Sequence, residues 1–96
     1  MTPEEKQTAL LGGLITMFQT AALQQMGKIK NPVSDKIERD LEQAQMSIDM
    51  LDMIQAKTKG NLSSEESAFL ANVVRELKLN YVDELGKEQS EKKETR

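Results

Sequence analysis

Lys57-Thr58-Lys59-Gly60-Asn61-Leu62-Ser63-Ser64-Glu65-Glu66 closes one amphipathic segment and opens the next. The two lysines suit the negative end of a helix, and Gly60 supplies the left-handed residue that commonly follows one. Ser63 then caps a new helix, with Glu66 three residues on as the acid of a capping box. So short a connection predicts an antiparallel helical hairpin.

The flanking apolar residues agree. Before the turn, Ile37, Leu41, Ala44, Ile48 and Leu51 recur at spacings of three and four; after it, Leu70, Val73, Leu77, Tyr81 and Leu85 do the same. About a fixed turn these pair apolar with apolar along the whole hairpin: Leu51 with Leu70, Ile48 with Val73, Ala44 with Leu77, Leu41 with Tyr81, and Ile37 with Leu85. Met46, Met50, Met53 and Ile54 form a second apolar row roughly opposite the first. A helix with two apolar faces must be covered on both. The segment is therefore read as the middle element, its other face covered by the first helix, within the chain or in a dimer.

Upstream, Thr2-Pro3-Glu4-Glu5 is a helix start, with Thr2 as cap, Pro3 in the first turn and Glu5 in the capping-box position. Gly27 and then Asn31-Pro32 end that helix near Met26. Gly12-Gly13 in its interior costs about 1 kcal/mol per residue relative to alanine, which suggests a kink or a close backbone approach. Leu10, Leu11, Leu14, Ile15, Met17, Phe18, Ala21 and Ala22 cover nearly half of the helical wheel, and the other side holds Gly12, Thr16, Gln19 and Thr20. From Gln7 to Gly27 there is no charge. The run is as long as a membrane span, but its glutamines and threonines leave it too polar for stable insertion, and no membrane association is expected. A helix without charge all round implies contacts from more than one direction.

After Gly86 the chain carries no apolar residue, so 87–96 is expected to be a disordered charged tail. The expected architecture is all-α: one domain over residues 1–86, with helices at about 3–26, 35–58 and 64–85.

Composition limits the chemistry. The 96 residues include no Cys and no His, which removes thiol nucleophiles, disulfides, the usual neutral-pH general base and most transition-metal ligand sets. No enzyme activity and no cofactor is expected. A net charge of −3 with mixed signs provides no broad positive field for nucleic acid. The acids in Met1-Thr2-Pro3-Glu4-Glu5-Lys6 stand where a secretory signal would be basic, so a cytoplasmic location is expected.

The hairpin residues Ala44, Ile48-Asp49, Leu51, Met53-Ile54, Lys57 to Leu62, Glu65-Glu66, Leu70, Leu77 and Tyr81-Val82 resemble a bacterial family catalogued as a domain of unknown function, number 1844. The resemblance runs from about Leu14 to Val82 and is most specific at the Lys-Thr-Lys-Gly-Asn-Leu turn. Ile54 replaces an expected leucine, and Lys78 stands where arginine is commoner. The resemblance implies a small cytosolic bacterial protein and supplies no catalytic residue, cofactor or partner.

Two surfaces invite a functional reading. Leu11, Leu14, Ile15, Phe18 and Ala22 of the first helix, with Met46, Met50 and Met53, form a candidate surface for self-association as a dimer, or for another protein. Such a row is more often core, which here means packing on the first helix of the same chain. The alternative site is the turn, where Lys57, Lys59, Gly60, Asn61 and Ser63 could hold an anion, a nucleotide or a nucleic-acid backbone. The same residues are explained by ending one helix and starting another, and Glu65 and Glu66 repel anions. Asp49, Asp52 and Glu42 are poorly placed for a metal, and Asp49 is expected to bond across the hairpin, to Asn72. Tyr81 is expected to cover the far end of the hairpin rather than to stack on a base.

Overall fold

Both helix starts read from capping residues are present in the computed structural model, which describes residues 1–94 and side chains through residue 90. Three helices follow in order, α1 (Pro3–Gln25), α2 (Leu41–Lys57) and α3 (Ser64–Glu94), and the fold is all-α. Thr2 Oγ1 accepts from Glu5 N at 3.1 Å while Thr2 N donates to Glu5 Oε1 at 3.0 Å. Ser63 and Glu66 repeat the arrangement at 3.1 and 2.8 Å.

The two helix ends use glycine as expected. Gly27 adopts φ +82°, and Gly27 N and Lys28 N return to the carbonyls of Gln24 and Leu23, closing α1 with two bonds from beyond its end. Gly60 adopts φ +87° and turns the chain from α2 toward α3. Between them, Thr58 Oγ1 donates to Ile54 O at 2.7 Å, which satisfies one of the last carbonyls of α2.

α2 starts at Leu41, six residues later than the expected 35. The reason is local. Asn31 Oδ1 accepts from Val33 N, Ser34 Oγ accepts from Lys36 N, and Asp35 takes a left-handed φ of 57°. These side-chain bonds, with the Asn31–Lys36 bridge, give the backbone an alternative to the helix. Asp40, which accepts from Gln43 N at 3.2 Å, is the working cap. Ile37 therefore lies outside the helix, half exposed against Gly27, and the Ile37–Leu85 pair of the hairpin register is not formed as one helical layer. α3 runs past the expected end at 85 and takes in the expected disordered tail as far as Glu94; residues 95–96 lie outside the described residues. The tail's Glu and Lys are good helix formers that extend an existing helix without the nucleation cost.

The core is one cluster: Ile15, Ala22 and Met26 from α1 and its end, Ala44, Ile48 and Leu51 from α2, and Leu70, Val73, Val74 and Leu77 from α3. Leu41 and Tyr81 pack at its margin, as expected of the far end of the hairpin. Thr8 Oγ1 donates to Glu66 at one end of the bundle and Lys28 meets Glu84 at the other, so α1 runs parallel to α3 and antiparallel to α2.

This places α1 on the same side of α2 as the core stripe, not on the methionine side. Ile54 alone of that second row is drawn inward. α1 passes through Gly12-Gly13 without interruption, and a β-carbon at either would meet nothing within 4 Å, so among the described residues no segment makes the close approach considered for them.

Candidate interaction surface

The α1–α2 seam is fixed by a polar bridge. Gln25 donates through its amide to Ser47 Oγ at 2.7 Å and to the carbonyls of Gln43 and Ala21 at 3.0 and 3.2 Å, and its own carbonyl accepts from Asp40 N at 2.7 Å. These bonds satisfy Ser47, a polar residue inside the bundle. α3 contacts the other side of each helix, at Thr8 of α1 and Asp52 of α2, where Lys78 Nζ stands 3.2 Å from the carboxylate.

Turning each helix from its α3 side across the seam brings up the outward residues in order. On α1 these are Leu14 and Ala21, then Leu10 and Met17; on α2, Met50, then Met46 and Met53. Both rows lie on the same side of the seam, away from α3. Leu10, Leu14 and Met17 are 63%, 40% and 66% exposed, and Met46, Met50 and Met53 are 55%, 40% and 49% exposed. Together they present on the order of 500 Å² of apolar surface, comparable to the largest patches on typical monomers, which are often functional. The charge-free run of α1 supplies half of this face, bordered by Gln24 and, on α2, Gln43.

The residues of the sequence-derived surface divide between the outside and the inside of the bundle. Leu14, Met46, Met50 and Met53 do come together on the outside. Ile15 and Ala22 are fully buried and cannot meet a partner, while Leu11 and Phe18 pack against the core and are only partly exposed. Leu10 and Met17 take their place. The signal for them was present: they sit four and three residues from Leu14 on a helix without charges, but a wheel that is apolar over half its circumference does not reveal which half turns inward.

The hairpin turn offers less. The Ser63 and Glu66 amides, two of the donors that would hold an anion, are consumed by the capping box, and Glu66 also accepts from Thr8 at 2.7 Å. The backbone amide of Ser63 and the hydrogen bond from Thr8 hold the Glu66 carboxyl below the usual carboxylate range, so a negative charge stands at the site. Asp49 bonds to Gln45 of its own helix at 2.8 Å rather than across to Asn72, because a residue four positions back on the same helix is within reach without ordering a second element. Among the described residues no acidic cluster of metal-binding geometry forms, and no helix is long and apolar enough to cross a membrane.

One polar centre escaped the sequence reading. Glu84 is buried, 2.7 Å from Lys28 Nζ and 3.0 Å from Lys87 Nζ, with Arg39 Nη2 at 3.6 Å from its carboxylate and 2.6 Å from its own carbonyl. It anchors the segment between α1 and α2, and so the relative setting of the two helices that form the outer face. Nothing distinguishes this glutamate from its neighbours in a charged helix until the fold places two cations from the 28–39 segment over it.

The hydrogen bond from Lys28 is the main reason the Glu84 carboxyl lies below the usual range, reinforced by Lys87 against the opposing effect of burial. A carboxyl lowered on folding contributes stability above its unfolded value and loses it as pH falls through the folded value. Glu84→Gln is expected to be less stable than the native chain at pH 7, with the difference narrowing as pH falls from about 5 toward 2. Urea midpoints at pH 7 and pH 3 measure it, and a difference independent of pH contradicts this role.

No curated protein and no solved structure matches the chain. The family model described as "Domain of unknown function (DUF1844)" matches residues 8–83, which takes in α1 from Thr8, all of α2 and α3 as far as Asp83. The match carries the hairpin turn, the core and both rows of the outer face, and the chain belongs to this family.

Proposed function

We propose that this chain is a non-enzymatic, cytoplasmic protein-interaction module that self-associates through the outer face of α1 and α2. The observation that carries this reading is the pairing of two exposed apolar rows on one side of the seam, six large side chains between two-fifths and two-thirds exposed, three of them on a helix that carries no charge from Gln7 to Gly27. The Cα extents of 58 × 28 × 16 Å leave room for only two helical layers, so among the described residues nothing lies above these rows. Leaving such a face in water costs solubility, and covering it adds a hydrophobic contribution in proportion to its area. Anion binding at the turn has less support, since the capping box already occupies its donors.

Self-association links stability to concentration. The midpoint of thermal unfolding is expected to rise by roughly 5 °C or more between low-micromolar and several-hundred-micromolar protein, because only the folded chain associates. Calorimetry or circular dichroism at the two concentrations tests the reading, and a midpoint that does not move contradicts it.

A further inference from the structure

We infer that the partner on this face is a second copy of the chain, set antiparallel about a two-fold axis that passes between Leu14 and Met17 of α1 and close to Met50 of α2. This rests on the self-association reading above and adds its geometry. A two-fold interface is self-complementary, so residues at equal distances from the axis on one copy must suit each other across it. Both rows meet that condition.

On α1, Leu10, Leu14, Met17 and Ala21 are spaced four, three and four apart, so the row reads the same in either direction. Reversal sets Leu14 against the partner's Met17 and Leu10 against the partner's Ala21, a large side chain beside a small one. On α2, Glu42, Met46, Met50, Met53 and Lys57 run along the outward side. Reversal about the point between Asp49 and Met50 sets Met46 against the partner's Met53 and Glu42 against the partner's Lys57, so the flanking charges attract. Among the described residues neither Glu42 nor Lys57 has an ion-pair partner within the chain, and both are exposed.

The two centres are also compatible with one axis. The Asp40 N to Gln25 O bond sets the antiparallel register of α1 and α2, and stepping back along both helices from it brings residues 15–16 level with the region of Met50. On α1 no charged residue lies near that axis; on α2 Asp49 is level with it, exposed at the edge of the row away from α1, with its carboxylate held along its own helix by Gln45 at 2.8 Å. With the glutamine rim added, the face reaches roughly 600–700 Å² per partner, within the lower part of the range of specific interfaces. Gly13, at the edge of the α1 row with open space above it, lets the second copy approach closely.

The absence of cysteine makes the geometry directly testable, since every thiol in a variant is one placed there. Met50→Cys alone is expected to convert mostly to a covalent dimer under mild oxidation. Met46→Cys alone, its sulfurs on the order of 10 Å apart, is expected to convert at least tenfold more slowly, but to join rapidly when mixed with Met53→Cys. Sedimentation of each reduced variant and its circular dichroism confirm mass and helicity.

If the reduced variants are dimers but thiols join only between α1 of one copy and α2 of the other, for example Leu14→Cys with Met50→Cys, the antiparallel arrangement is overturned and the self-association reading stands. Dimers that show none of these cross-links overturn the face itself. Folded variants that are monomeric throughout, as the native chain would then also be, overturn both and assign the face to a partner of different sequence.

Discussion

Leu51→Ala is expected to destabilise the folded chain by about 3 kcal/mol, a large share of the roughly 5–10 kcal/mol available to a domain of this size. Leu51 is fully buried at the middle of the core, between α1 and α3, and its removal leaves a cavity that three packed helices cannot close without moving. The thermal midpoint should fall by roughly 10–20 °C. Leu79→Ala, the same chemical change at a position of α3 that is 65% exposed, should cost no more than about 0.5 kcal/mol. Urea unfolding of the two variants at low-micromolar concentration measures the contrast, and equal losses would contradict the placement of the core.

Lysine at the centre of the outer face should act in the opposite manner, abolishing association while leaving the fold intact. Leu14→Lys and Met50→Lys are each expected to weaken the dimer at least 100-fold, or about 2.7 kcal/mol, because a two-fold interface brings the new charge near its own copy and strips both of water. Both positions are 40% exposed in the single chain, and a lysine stem can lie along the surface with its head in water, so helicity should not change. Leu79→Lys, on a different face, provides the control. Gel filtration with light scattering reads the mass. Loss of helicity together with loss of association would show instead that these side chains serve the core.

What could be read from the sequence was what is decided locally. The capping boxes at Thr2 and Ser63, the glycines at 27 and 60 and the stripe from Ala44 to Leu51 each depend on a few neighbouring residues, and all stand where the sequence places them. The start of α2 differs from the expected one because Ser34 and Asp35 resemble a cap, yet the Ser34 hydroxyl and the Asp35 backbone amide bond within a turn that Pro32 and the positive φ of Asp35 hold out of the helix.

The candidate surface was half legible for a different reason. Periodicity shows that α1 is apolar over a wide arc, but the choice between Ile15 and Leu14 as the buried residue depends on where Gln25, Ser47 and Asp40 seat α1 against α2, a tertiary contact with no local signature. The same seating left the methionine row uncovered, when two apolar faces on one helix had suggested that α1 would cover it. Glu84 shows the limit most plainly, since its partners Lys28 and Arg39 lie more than 40 residues away in the chain.

Sedimentation equilibrium of the native chain across about 1–200 µM, in moderate salt, tests the central claim most directly. The mass is expected to rise toward twice 10.8 kDa within that range and to return to the single-chain value in Met50→Lys. A native chain that sediments as a strict monomer at every concentration would contradict it.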